Sequence, residues 1–199
     1  MRKIILITFL IIVSITIATI LLLTTSGIKT SSFNSFINQK ISEINPKLKF
    51  VLKDVNYKLK PTDLSFEITT KNPKISINKK ILDLETIKFD VNIIDYLNDK
   101  NSVTNISILS KENSIKEFAD FLNEYDFNLE RHLILKQTIK EGKIKISTDI
   151  SFDKKNKNII KYNLNGSVVD AKINILNQIE LSQLQFNFSI EDEIIRFKQ

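Results

Sequence analysis

A catalytic centre needs a nucleophile, a base and a group to orient them, and this 199-residue chain offers few residues for those roles. Its single histidine, His132, sits between Arg131 and Leu133 with no serine or aspartate nucleophile motif around it, so it reads as a surface residue at the start of a strand. Glu191, Asp192 and Glu193 form a carboxylate cluster near the carboxyl end. Neighbouring strand residues point to opposite faces, and calcium asks for about six to eight converging oxygens, so the cluster reads as a solvated turn. Three glycines cannot furnish a phosphate-cradling loop, and the absence of cysteine excludes disulfides and thiolate metal sites. The expectation is a protein that is not an enzyme, with no catalytic or metal-binding residues and no cofactor.

What the chain does have is an anchor. Ile4 to Leu23 are twenty consecutive uncharged positions, preceded by Arg2 and Lys3 and followed by Thr24, Thr25, Ser26 and Gly27. A helix of that length at about 1.5 Å per residue matches the roughly 30 Å hydrocarbon core of a bilayer. A cleaved secretory signal has a shorter apolar run and an A-x-A-like end, whereas the only alanine near here, Ala18, lies inside the run. The segment therefore reads as a retained signal anchor spanning residues 4–23, with a cytoplasmic stub at 1–3. The positive-inside rule places the remainder outside the cytoplasm, which in a Gram-negative bacterium is the periplasm.

Behind the anchor, roughly 170 residues suffice for one domain with its own core. The net charge of +6 is spread along the chain, with lysines alternating with apolar residues, as on a solvated sheet face. No nucleic-acid partner is expected.

Residues 24–46 read as a linker and a short cap helix, started by Ser31 or Ser32, with Phe33, Phe36, Ile37, Ile41 and Ile44 on one face and Asn45-Pro46 at its end. From residue 47 to 199 the apolar period becomes two. Leu48, Phe50 and Leu52 are followed by Val55, Tyr57 and Leu59, with a parity slip at Lys53 and Asp54 that predicts a bulge or turn. The alternation resumes in Leu64, Phe66 and Ile68, then Ile75 and Ile77, Leu82 and Leu84, and Ile87, Phe89, Val91 and Ile93, then Ile106 and Ile108. Ser114 and Glu117 form a capping-box pair ahead of a helix over about 114–125. A second β region, expected to begin near His132, closes with Leu184, Phe186, Phe188 and Ile190. Within it Gly142 reads as a turn, and Asn165-Gly166 fits either a hairpin turn or a glycine bulge. The expected fold is mainly β (α+β), an antiparallel meander forming a curved, groove-like sheet, interrupted by one mid-chain helix.

Two stretches carry a family resemblance. The first combines the basic stub, the anchor and the Asn45-Pro46 helix end with "KFVLKDVNYKLKPTDLSFEI" and "LDLETIKFDVNIIDYL", the latter leading into a hydrophobic "YL" corner. The second is "IKEGKIKISTDISFD", "KYNLNGSVVDAKINI" and "LSQLQFNFSI". Together they resemble the amino-terminal part of AsmA-like proteins, bacterial relatives of chorein-type bridge lipid-transfer proteins, although this chain is much shorter than typical members. The resemblance implies an inner-membrane protein with a periplasmic β-rich domain that binds or shields phospholipid acyl chains. It contributes on that reading to lipid transport or outer-membrane homeostasis. Leu64, Phe66, Ile68, Ile87, Phe89 and Val91 are the groove candidates. The alternative is a non-catalytic, membrane-tethered envelope-assembly adaptor with a packed β sandwich, similar in layout to the lipopolysaccharide bridge component, whose sheet edge pairs with other envelope proteins by strand addition.

Overall fold

The computed structural model describes residues 2–31, 34–35, 38–39, 42, 46–53, 55–98, 102–125, 138–153, 159–175, 178–191 and 194–198. Helix α1, Arg2–Thr25, is exposed along its length and is long and apolar enough to cross a membrane. Its threonine hydroxyls are satisfied internally. Thr8, Thr16, Thr19 and Thr25 each donate to the carbonyl four residues back, at 3.0, 2.9, 2.9 and 2.6 Å. Those hydroxyls need no water, which suits a lipid environment.

After α1 the chain is mostly antiparallel β sheet. The strands are β1 (Ile28–Thr30), β2 (Leu48–Val51), β3 (Val55–Lys60), β4 (Ser65–Lys71), β5 (Lys74–Ile77), β6 (Lys80–Asn92), β7 (Val103–Ser110), β8 (Asn113–Ser114), β9 (Ile139–Phe152), β10 (Ile159–Ile175), β11 (Ile179–Glu191) and β12 (Ile194–Lys198). The order β1-β3-β4-β6-β7-β9-β10-β11-β12 makes one open sheet with β1 and β12 at its ends. Among the described residues two short helical elements stand out within it, α2 (Ile93–Leu97) and α3 (Ile115–Tyr125). The mid-chain helix is where the capping-box pair predicts it.

The parity slip at residues 53–54 has a larger cause than a bulge. β2 leaves the main path and pairs with β5, whereas β3 pairs with β1 and β4. β2, β5 and the first residues of β6 thus form a small flap, and α3 joins it. Ile77, Leu82 and Phe121 pack there with Leu48, Ile75 and Phe118. The flap meets the main sheet at fully buried Val55, beside Leu48, Phe50 and Leu52. Farther along, Ile115 and Phe118 of α3 pack on Ile144, Val168 and Ala171. A half-exposed ion pair, Lys80 Nζ to Asp120 Oδ2 at 2.5 Å, ties β6 to α3.

Several expectations are corrected. Ile93 starts α2 instead of ending a strand, because Asn92 turns the chain and accepts the Asp95 amide on its side chain at 3.0 Å. Gly142 lies inside β9, not in a turn. Its φ of +131° and the Ile115 side chain and Ala171 backbone pressed against it leave no space for a β-carbon. Asn165-Gly166 is regular strand paired on both sides, with Asn165 opposite Ser147 and Ser189. The register shift falls later, at Asp170 with φ 52°, and it returns Ala171 to the face of Val168. A further strand, β12, follows Ile190.

In the cap-helix region, Asn34, Ser35, Asn38, Gln39 and Ser42 are helical, and the Asn34 side-chain amide reaches the Leu52 and Lys53 carbonyls at 3.3 and 3.2 Å. The apolar positions Phe33, Phe36, Ile37, Ile41 and Ile44 lie outside the described residues, as do His132, Asp192 and Glu193.

Candidate functional site

Directly opposed residues in antiparallel strands project to the same face, so the registers fix the composition of each face. One lane runs Ile28–Tyr57–Ile68–Phe89–Ile106–Ile150–Tyr162, taking one residue from each successive strand. A parallel lane runs Thr30–Val55–Thr70–Ile87–Ile108–Thr148–Leu164–Ile190. Neither contains a charge. The first lane crosses six strand spacings, about 29 Å at roughly 4.8 Å each.

The reverse face is polar. Its matching lane is Lys29–Asn56–Thr69–Lys88–Ser107–Asp149–Asn163–Glu191. Lys60 bonds both Glu67 and Asp90 there, at 3.0 and 2.7 Å. Partial burial opposes the charge on Lys60, but its hydrogen bonds to Asp90 and Glu67 outweigh that and raise its pKa. Burial likewise acts against the Glu67 carboxylate, and the Lys60 contact overrides it, so that pKa is lowered. Glu191, the described member of the acidic cluster, pairs with Lys161 and Arg196 at 3.3 and 3.6 Å. An open depression of about 430 Å³ has a mixed lining, with Leu109, Ile146 and Phe188 beside Lys145, Ser147 and Asn187. Among the described residues no three His, Cys, Asp or Glu side chains come together as a metal site.

The six groove candidates divide into three groups. Phe66, Ile68, Phe89 and Val91 are half-buried and form a square, with Phe66 opposite Val91 and Ile68 opposite Phe89. Ile87 shares their face but is 0% exposed, so it is core. Leu64 is not on a strand at all. It ends a 3₁₀ turn, Pro61–Asp63, in a left-handed conformation with φ 46° and is 52% exposed.

Flap and α3 cover only one end of the strands. Tyr57, Ile68 and Phe89 touch the Val55 cluster, and burial pushes the Tyr57 hydroxyl up to about 12. Phe66, Val91, Ile106, Ile150 and Tyr162 belong to none of the core clusters among the described residues and stay half-buried. Ile28, Tyr57, Ile106, Ile150 and Tyr162 are the lane members that alternation alone does not single out, because period two assigns a face within each strand but no register between strands.

No family model, curated protein or solved structure matches this chain.

Proposed function

We propose that this chain is a single-pass inner-membrane protein whose domain lies in the periplasm and whose apolar sheet face shields phospholipid acyl chains, as the AsmA-like resemblance implies. The observation that carries the reading is the uncharged lane from Ile28 to Tyr162. It begins on the first strand after α1 and takes one residue from each successive strand across the sheet. A lipid tail outside the bilayer exposes methylenes at about 0.8 kcal/mol each, and a half-open apolar lane removes part of that cost. Chemistry is not part of the proposal. The role is binding and passage of lipid, with no cofactor.

Photocrosslinking in living cells tests it, with the probe placed in turn at Phe89 and Ile106 and, on the reverse face, at Lys88 and Asp149. Mass analysis should find lipid adducts at the first two positions only. Adducts at none of the four, with the protein inserted, would sink the lipid reading.

A second reading is favoured by the outer edge. β12 carries Ile194 and Phe197, the latter 71% exposed, and an edge strand with apolar side chains is a template for strand addition by another envelope protein. Protein adducts at Phe197 without lipid adducts at Phe89 would favour that adaptor role.

A further inference from the structure

The end of the sheet from which α1 emerges carries an apolar patch that belongs to none of the core clusters among the described residues. β1 runs antiparallel to β3 with Ile28 opposite Tyr57 and Thr30 opposite Val55, so the residues leaving α1 lie toward the Lys60 end of β3. α1 itself contacts β3. The junction is short and fixed, since the amides of Ser26 and Gly27 both bond back to the Leu22 carbonyl at 3.0 Å. Beyond Lys60 the chain passes through the 3₁₀ turn to Leu64, whose carbonyl accepts the Ile93 amide at 2.9 Å. That bond brings α2 to the same end. Leu64, Ile94, Tyr96 and Leu97 are gathered there, 52%, 52%, 45% and 74% exposed. The Asn92 cap holds α2 in place, so this is a built surface.

We propose that this patch rests on the bilayer that α1 spans, inserted at headgroup depth beside the anchor. The argument is continuity. α1 ends at Thr25, two residues before β1, and the patch sits at the end of the neighbouring strand, next to where the anchor leaves the lipid. Tyrosine is enriched at that interface, and apolar side chains of short amphipathic segments enter it to a shallow depth. Asp63 and Asp95, in the same two turns, set the limit of insertion. Docked this way, the sheet has a fixed attitude to the membrane, with the strand ends that carry Phe66 and Val91 nearest the lipid. The inference rests on α1 being a retained anchor, and it stands or falls apart from the lipid-shielding role.

The chain contains no tryptophan, so a single introduced one reports its own surroundings. The full chain is reconstituted in phosphatidylethanolamine–phosphatidylglycerol vesicles whose acyl chains are brominated near the headgroup. Three variants are compared: Phe9→Trp within α1, Tyr96→Trp in the patch and Phe197→Trp at the far edge. Emission from Tyr96→Trp should be quenched about twofold or more and that from Phe197→Trp left unchanged. Adding Ile94→Glu and Leu97→Glu should cut the quenching of Tyr96→Trp by about half without touching that of Phe9→Trp. Emission from Tyr96→Trp as unaffected as that from Phe197→Trp, with Phe9→Trp quenched, overturns the docking and leaves the anchor intact. An unquenched Phe9→Trp overturns both.

Discussion

Gly166 lies beneath the ring of Phe188, its direct partner across β10 and β11, so closely that a β-carbon at 166 would fall inside the ring. Ile146 flanks it on β9, and the three share the face that packs around Val168. The glycine is there because the aromatic ring occupies the volume a side chain would take. Gly166→Ala should destabilise the domain by about 1–3 kcal/mol through overpacking, and Gly166→Ala combined with Phe188→Leu should recover part of that loss. Chemical denaturation in detergent, followed by circular dichroism, measures both. An additive double variant would show that ring and glycine are not coupled.

Ile87 and Val91 lie on the same face of β6, four residues apart, yet only Ile87 is sealed, at 0% exposure. Ile87→Ala should cost about 2–5 kcal/mol, in the range for buried isoleucine, whereas Val91→Ala, at a half-buried position, should cost about 1 kcal/mol or less. Equal costs would mean that the open end of the sheet is packed as tightly as the covered end, which counts against an acyl-binding lane.

That contrast also marks where sequence reasoning stops. Alternation assigns Phe66, Ile68, Ile87, Phe89 and Val91 to one face correctly, because period two is a local property of strand geometry. Which of them is core depends on what the fold lays over each one, and nothing local distinguishes fully buried Ile87 from half-buried Val91 on the same face. Leu64 fits the alternation but not the fold, since the turn before it forces a left-handed backbone. Asn165-Gly166 carries a strong turn signal that long pairing on both flanks overrides. The parity slip at 53–54 is visible in the sequence. Its meaning, a chain moving from flap to sheet, is not, because a bulge and a change of sheet leave the same trace.

Glu67 faces Asp90 directly across β4 and β6, and Lys60 bridges the two carboxylates. The Glu67 pKa is lowered in the folded state, so its stabilising contribution is present above the ordinary carboxylate value and is lost as pH falls through the folded one. Lys60, raised, contributes below its ordinary value and loses that contribution in strong alkali. With all three groups partly solvated the effect is about 1 kcal/mol or less. Between pH 7 and pH 3 the unfolding midpoint of the wild type should therefore fall more steeply than that of Glu67→Gln. Lys60→Met should lower stability at pH 7, and that loss should narrow as pH falls and the Glu67 carboxylate takes up its proton. Parallel pH curves for the wild type and Glu67→Gln would remove the bridge from the stability account.

Thr70 sits in the second apolar lane between Val55 and Ile87, is 2% exposed, and its hydroxyl has no hydrogen-bond partner among the described residues. A buried hydroxyl without a partner forfeits its hydration and receives nothing in return. Valine has nearly the same shape and no such group to desolvate. Thr70→Val should raise stability by about 1 kcal/mol, against the usual direction of core substitutions. Thr148 occupies the same lane but is half-buried and reachable by water, so Thr148→Val should change stability by less than about 0.5 kcal/mol. Thermal unfolding of the two variants side by side decides the matter. A destabilised Thr70→Val would mean that the hydroxyl has a partner in solution, such as a water held between the flap and the sheet, and that the covered end of the apolar face is not dry.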